Sequence, residues 1–178
     1  LGISGRYEFK NKGIDVFIDA MGQLNRNNGL GKEVLAFILV PAGHAGANKE
    51  LLHNLELPYQ AVTSTDLYLT HYLNDSANDP VMNRIRAQKL RNSEEDKVKI
   101  FFVPSYLNGD DGVFNMPYYD LLVGMDLTAF PSYYEPWGYT PLESLAFKVP
   151  TITTTLAGFG LWVKEHYNMN HPGIEVIN

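Results

Sequence analysis

The sequence contains no cysteine, which excludes a disulfide framework and any metal site built from thiolates. Its net charge is −6, so a surface that binds the phosphates of nucleic acids is not expected. No apolar run reaches the roughly 18 residues of a transmembrane helix, and no basic-then-apolar start resembles a signal peptide. We therefore expect a cytoplasmic protein that binds neither membranes nor nucleic acid.

Two nucleotide-binding motifs are also missing. There is no Gly-x-Gly-x-x-Gly and no Gly-x-x-x-x-Gly-Lys-Ser/Thr, which argues against a dinucleotide oxidoreductase and a P-loop enzyme. The five histidines lack the spacing that is typical of a zinc site. We expect neither a metal ion nor a cofactor.

The composition is that of a folded domain. With 178 residues, 45% hydrophobic and 19% charged, the chain has the length of one compact domain and enough apolar side chains for a core. We expect residues 1–178 to form a single domain. Because the chain opens on Leu-Gly-Ile-Ser-Gly without a methionine, we also expect it to be a fragment.

Apolar runs and amphipathic segments alternate along the chain. The apolar runs predict strands at residues 34–40, 98–103, 127–130, 151–154 and 174–177. The helical patterns fall at residues 15–24, 48–57, 81–90, 118–123, 141–147 and 159–166. This alternation predicts an α/β fold: a Rossmann-like parallel sheet with helices on both faces. Segment 60–78 is polar, aromatic and Thr-rich, and suggests an excursion or insertion.

The most informative stretch is Phe-Pro-Ser-Tyr-Tyr-Glu-Pro-Trp-Gly-Tyr-Thr-Pro-Leu-Glu, residues 130–143. It leaves a predicted strand and opens a predicted helix, which is where backbone N–H groups meet anionic ligands in α/β proteins. Glu135 and Glu143 could accept hydrogen bonds from sugar hydroxyls, and Gly138 would let backbone amides approach a phosphate closely. This arrangement suits a nucleotide-sugar.

Both acidic residues also have simpler interpretations. Thr140 and Glu143 match a capping box with proline at the first helical position, which would explain Glu143 without any ligand. Glu135 lies outside that helix, so no capping role accounts for it. Its alternative is an ordinary solvated loop carboxylate.

Two cations precede the first predicted helix, in Ser-Gly-Arg-Tyr-Glu-Phe-Lys-Asn-Lys-Gly, residues 4–13. The planar fork of Arg6 and the compact charge of Lys12 could together neutralise a diphosphate. Spacing alone favours the alternative that both are solvated surface residues.

Two further patterns are weaker. Gly158 and Gly160 follow a predicted strand and could form a second amide cradle, although ordinary turn chemistry explains them equally well. Tyr118 and Tyr119 could stack on a nucleobase, but such pairs at a helix start more often belong to the core.

Taken together, residues 4–13 and 130–143 resemble the glycogen synthases of the fungal and animal type, glycosyltransferase family 3. The resemblance continues through Leu-Arg-Asn-Ser-Glu-Glu-Asp-Lys-Val-Lys at 90–99 and Pro-Thr-Ile-Thr-Thr-Thr-Leu-Ala-Gly-Phe-Gly at 150–160. It implies the C-terminal, donor-binding half of a GT-B fold. The implied reaction transfers glucose from UDP-glucose to the non-reducing end of an α-1,4-glucan, with retention at the anomeric carbon.

The resemblance also implies roles for single residues. Arg6 and Lys12 resemble the cations that hold the donor diphosphate, and Glu135 resembles the acidic residue beside the transferred glucose. It further implies that Tyr118 stacks on the nucleobase, that the amides of Tyr139 and Thr140 bind the distal phosphate, and that Glu143 binds the ribose hydroxyls. Gly138 is expected in the same donor-binding segment. The N-terminal acceptor domain of the family is absent, so the glucan would bind outside this chain.

Alternatives from two classes remain. One is another GT-B transferase with a different nucleotide-sugar, and the other is a scaffold that binds sugar nucleotides without turnover. The lysine motif that glycogen phosphorylase uses for pyridoxal phosphate is not found. A homo-oligomer of the full-length protein is compatible with the sequence.

Overall fold

A computed structural model describes residues 1–27, 29–57, 68–167 and 171–178. The strands are β1 (Gly2–Ser4), β2 (Val34–Leu39), β3 (His44–Ala47), β4 (His71–Leu73), β5 (Val98–Val103), β6 (Thr128–Ala129), β7 (Thr151–Thr154) and β8 (Ile174–Ile177). The helices are α1 (Ile14–Asn25), α2 (Lys49–Glu56), α3 (Pro80–Ala87), α4 (Tyr118–Leu122), α5 (Tyr139–Ala146) and α6 (Gly158–His166).

Six strands form one parallel sheet in the order β5-β2-β1-β6-β7-β8. This is the order of a doubly wound Rossmann sheet, in which the winding direction reverses between β1 and β6. Gly2 pairs with Phe37 of β2 on one side and with Thr128 of β6 on the other. The predicted fold class is therefore confirmed.

Strands β2 and β5 are mostly apolar and contribute many of the buried side chains of the core. Ile38 of β2 and Ile100 and Phe102 of β5 are completely buried. They share one core with the apolar face of α1, formed by Ile14 and Ile18. This core makes the β1–β2–β5 half of the sheet a rigid base for the loop that follows β1.

Four of the helices form two groups. α1 packs on α3, and α5 packs on α6. Because parallel crossovers are right-handed, the reversal of winding puts these two groups on opposite faces of the sheet. Arg84 ties α3 to α1 through both oxygens of Asp19, with its Nε 2.6 Å from Asp19 Oδ1. Over the described ranges, the helices are all too short or too polar to cross a bilayer.

The structure contains strands that are not among those predicted above, namely β1 and the two strands of the antiparallel β3–β4 ribbon. Segment 60–78 lies partly outside the described residues. Its described end forms β4, preceded by Leu69, which bridges in parallel to Phe102 of β5. Apolar periodicity could not indicate β3 or β4, because the two strands are only four and three residues long.

Candidate functional site

Two loops meet where the winding of the sheet reverses. Residues 5–13 leave the carboxyl end of β1, and residues 130–138 leave the carboxyl end of the adjacent strand β6. In open α/β sheets the crevice at this reversal is the usual ligand-binding position.

Direct contacts lock the two loops together. Gly13, the N-cap of α1, has a φ of 68°, and a Cβ on it would lie 1.9 Å from the carbonyl oxygen of Pro131. The backbone N–H of Tyr133 donates to the carbonyl oxygen of Asn11 at 2.9 Å. The cation loop and the acidic loop are therefore one unit, packed backbone against backbone.

Lys12 and Glu135 form an ion pair across this contact. Their side chains are only 13% and 18% exposed, so the pair is largely shielded from water. The backbone of Glu135 is fixed on both sides: its N–H donates to Leu156 at 3.2 Å, and its carbonyl accepts from the Gly158 N–H at 3.0 Å. The interpretation of Glu135 as a solvated loop carboxylate is therefore wrong.

Arg6 belongs to the same loop as Lys12 but is more open. Its side chain is 77% exposed, and Nη2 is 3.1 Å from Oε1 of Glu8. The side-chain amide of Asn11 donates to Glu8 at 2.8 Å. This hydrogen bond, together with the charges of Arg6 and Lys12, holds the pKa of Glu8 below its ordinary value. Arg6 is thus mostly exposed to solvent and has Glu8 as an ion-pair partner.

Tyr7 anchors the cation loop to the rest of the domain. Its hydroxyl donates to Oδ2 of Asp79 at 2.5 Å, and its ring packs edge-on against Phe102. Asp79 is also the N-cap of α3, because its Oδ1 accepts from the Met82 N–H. Burial and the hydrogen bond to Asp79 raise the pKa of Tyr7 far above its ordinary value. No local sequence pattern indicates this pair, because its two residues are 72 positions apart.

Helix α5 begins two residues earlier than expected, at Tyr139, with Gly138 as its N-cap. Gly138 has a φ of 94°, a left-handed conformation that glycine adopts without strain. The proposed capping box is therefore wrong, because Thr140 is already inside the helix and no side chain caps it. The amides of Tyr139 and Thr140 belong to the first turn, whose N–H groups have no partner within the helix.

Glu143 has a different partner from the one expected. Its Oε1 accepts from the Tyr119 hydroxyl at 3.3 Å, and the Tyr119 ring stacks on Phe147 at 4.7 Å between centroids. The charge of Glu143 raises the pKa of Tyr119. Glu143 thus lies one turn beyond the start of α5 and contacts Tyr119 of α4.

Tyr118 faces the crevice from α4. Its hydroxyl is 2.7 Å from Oγ of Ser4, at the end of β1, and burial raises its pKa. It borders a cavity of about 290 Å³ at the carboxyl ends of the strands. The walls of this cavity are formed by Ser4, Gly5, Leu39, Pro41, Ser105, Tyr106, Leu107, Asn108, Tyr118 and Thr140. Tyr118 therefore lies at a ligand-sized opening rather than in the core.

The second glycine loop is structural. The N–H of Gly158 donates to Glu135, and the N–H of Phe159 donates to the Trp137 carbonyl at 2.6 Å. A Cβ at Gly158 would lie 2.2 Å from the Pro136 carbonyl oxygen. These amides are occupied by the 130–138 loop, so the idea of a second amide cradle is wrong.

The histidines do not form a metal centre in the part of the chain that the structure describes, where no three His, Cys, Asp or Glu side chains could hold an ion. His71 is instead buried, with its ring nitrogens 2.9 Å from Oγ1 of Thr70 and 2.7 Å from the carbonyl oxygen of Asp111. His44 packs against it with ring centroids 4.7 Å apart.

Comparison with known proteins gives one consistent result. A family model described as glycogen synthase matches residues 1–66 and 61–178. The chain is 33% identical to glycogen [starch] synthase isoform 2 of Saccharomyces cerevisiae, over 99% of the chain and 34% of that protein. It is 32% identical to glycogen [starch] synthase of Neurospora crassa, over 98% of the chain and 33% of that protein.

An animal relative gives a similar match. The chain is 31% identical to the liver glycogen [starch] synthase of Rattus norvegicus, over 93% of the chain and 31% of that protein. The chain thus spans about a third of the length of the curated relatives it matches. The resemblance noted from residues 4–13 and 130–143 is confirmed.

Proposed function

The chain belongs to the glycogen synthase family, and from this premise we propose that it is the donor-binding part of a retaining glycosyltransferase. The reaction transfers glucose from UDP-glucose to the non-reducing end of an α-1,4-glucan. The observation on which the proposal rests is the junction of the two loops, where Lys12, Glu135 and the start of α5 meet at the reversal of the sheet.

The donor diphosphate lies, in this proposal, between the cation loop and the start of α5. Arg6 and Lys12 supply positive charge from one side. The amides of Tyr139 and Thr140 supply hydrogen bonds from the other, where the helix dipole also favours an anion. Gly138 leaves the backbone open there, since it has no side chain above the helix start.

The nucleoside occupies the cavity bordered by Tyr118. The Tyr118 ring offers a face for the base, and such stacking is worth about 1–3 kcal/mol. Glu143 accepts hydrogen bonds from the ribose hydroxyls in this proposal. In the structure its carboxylate accepts a hydrogen bond from the Tyr119 hydroxyl, which is the same kind of donor as a ribose hydroxyl.

The chemistry separates charge along the bond between the anomeric carbon and the diphosphate. Negative charge grows on the departing phosphate, where Arg6, Lys12 and the α5 amides stabilise it. Positive character grows on the sugar, which Glu135 orients and stabilises. The glucan hydroxyl then attacks from the face that the phosphate leaves, so the anomeric configuration is retained. The protein cations take the place of a divalent metal, and the proposal includes no cofactor.

The acceptor glucan binds outside this chain, across the cleft of a two-domain enzyme. The proposal places the enzyme in the cytoplasm, where both UDP-glucose and a growing glucan are soluble.

The test is calorimetry of the full-length protein with UDP, ADP and GDP. We expect UDP to bind most tightly and Lys12→Gln to weaken it at least tenfold, because a buried cation facing the diphosphate is lost. Lys97→Gln removes a surface cation outside the site and serves as the matched control. Preference for ADP or GDP would indicate another GT-B transferase. Unchanged UDP affinity in Lys12→Gln would reject the donor site.

A further inference from the structure

The ion pair between Lys12 and Glu135 uses the cation that the proposed function gives to the donor diphosphate. Both side chains are largely buried, so little water screens the carboxylate from Lys12 or from a phosphate bound beside it. A phosphate bound beside the pair would draw on the same ammonium group and would face the negative charge of the carboxylate.

The carboxylate cannot avoid this competition by a simple loop movement. Glu135 is bonded through its own N–H and carbonyl to Leu156 and Gly158, in a short bridge that continues the sheet. Lys12 is fixed in a similar way, since its N–H donates to the Glu8 carbonyl at 2.9 Å. The two charges are thus presented to each other by two rigid backbones.

We propose that Glu135 sets the preference of this site for a sugar-bearing nucleotide over the bare nucleoside diphosphate, by competing with the diphosphate for Lys12. The inference rests on the proposed function. When a hexose is attached, its hydroxyls donate hydrogen bonds to the carboxylate, and Lys12 turns to the phosphate. When the sugar has been transferred, the carboxylate has no such donors, so it takes Lys12 back and repels the remaining diphosphate.

This arrangement has a consequence for turnover. Glu135 favours the entry of the donor and the release of the product with the same charge. Neutralising it should therefore strengthen the binding of UDP, which is the opposite of what removal of a ligand-binding residue normally does.

The test measures the dissociation constants of UDP and UDP-glucose by calorimetry in the full-length protein. In Glu135→Gln we expect UDP to bind about tenfold tighter, which corresponds to about 1.4 kcal/mol. UDP-glucose should gain little or nothing, because the carboxylate acceptor for its hydroxyls is lost. The dissociation constant of UDP divided by that of UDP-glucose should therefore fall about tenfold. Glu175→Gln, on the exposed part of edge strand β8, makes the same change in net charge and should alter neither constant.

Steady-state kinetics provide an independent measurement on the same variants. In Glu135→Gln, inhibition by UDP should become stronger while kcat falls. If the ion pair had a purely structural role, Glu135→Gln would bind both UDP and UDP-glucose more weakly and would have a lower melting temperature. Glu135→Ala repeats the comparison without the amide of glutamine.

The outcomes separate the two proposals. In one outcome, wild-type protein binds UDP, Lys12→Gln lowers its affinity for UDP, and Glu135→Gln does not raise that affinity. The donor site then stands, and the preference mechanism is wrong. If wild-type protein binds neither UDP nor UDP-glucose, both proposals are wrong.

Discussion

At the scale of single residues, glycines decide how closely the loops of the site can pack. Gly13 combines a left-handed backbone with the contact to the Pro131 carbonyl. Gly158 has the close approach to Pro136 without a left-handed backbone. Because each contact is made to a main-chain carbonyl of residues 130–138, a side chain at either position would move the loop that contains Glu135.

Replacing Gly13 by alanine should therefore destabilise the fold by about 3 kcal/mol or more, since a backbone clash adds to the strain of a positive φ. The measurement is the free energy of unfolding from denaturant titration. Gly31→Ala is the matched control, because a Cβ there meets nothing within 4 Å. The control should stay within about 1 kcal/mol of wild type. Equal stability of the two variants would contradict the packing described for Gly13.

Tyr118 allows the ring and the hydroxyl to be tested separately. Tyr118→Ala should lower the affinity for UDP about tenfold or more, since the face for base stacking is lost. Tyr118→Phe keeps that face and loses only the hydrogen bond to Ser4, so it should weaken UDP by much less. Calorimetry with both variants gives the comparison, and equal losses would show that the ring does not contact the base.

At the scale of elements, the β3–β4 ribbon supports the wall of the crevice. His71 of β4 contacts the carbonyl of Asp111, whose carboxylate accepts from the N–H groups of Val113, Phe114 and Asn115. This turn leads directly to α4 and Tyr118. The packing of two histidine rings thus helps to place the residue that borders the nucleoside cavity.

This ribbon should make stability depend on pH. Burial and the neighbouring His71 lower the pKa of His44 from its ordinary value of 6.5. As pH falls below about 6.5, the unfolded chain binds a proton that the folded chain binds less readily, so stability decreases with acidification. His44→Gln should flatten the slope of unfolding free energy between pH 7 and 5.

The control for this prediction is His53→Gln, at an exposed position of α2. It should leave the slope unchanged. A wild-type slope that is the same in His44→Gln would show that His44 does not cause the pH dependence.

Sequence periodicity predicts some elements to the residue and misses others for identifiable reasons. The β5, β7 and β8 boundaries match the expected ones, because β-branched and apolar runs end at clear breaks. The start of α5 does not match, because the left-handed backbone of Gly138 begins the helix before the apparent Thr140 cap. The Lys12–Glu135 pair joins residues 123 positions apart and could be expected only through the family resemblance.

At the scale of the whole molecule, the chain provides one wall of the proposed cleft. Its described residues form a six-stranded sheet with its own core, and the chain spans about a third of the length of its curated relatives. The two segments matched by the family model meet at residues 61–66, between α2 and β4. The residues of the proposed donor site all lie outside that junction.

We expect the 178-residue chain alone to give no glucose transfer from UDP-glucose to glycogen, because the acceptor wall of the cleft is not included. The measurement is incorporation of labelled glucose, with the full-length protein as the positive control. Transfer by the isolated chain would show that the acceptor site lies within these 178 residues and would overturn the two-domain proposal.

Strands β1 and β6 have the fewest paired residues of any neighbouring strands in the sheet, with one register pair at Gly2 and Thr128, whereas β2 and β5 share six. The proposed ligand lies across the β1–β6 pairing and contacts the loop after β1 on one side and the start of α5 on the other. A nucleotide bound there would stabilise the contact between the two halves of the sheet. Amide hydrogen exchange along β1 and β6 should then slow on binding, while exchange along β2 and β5 stays as it was.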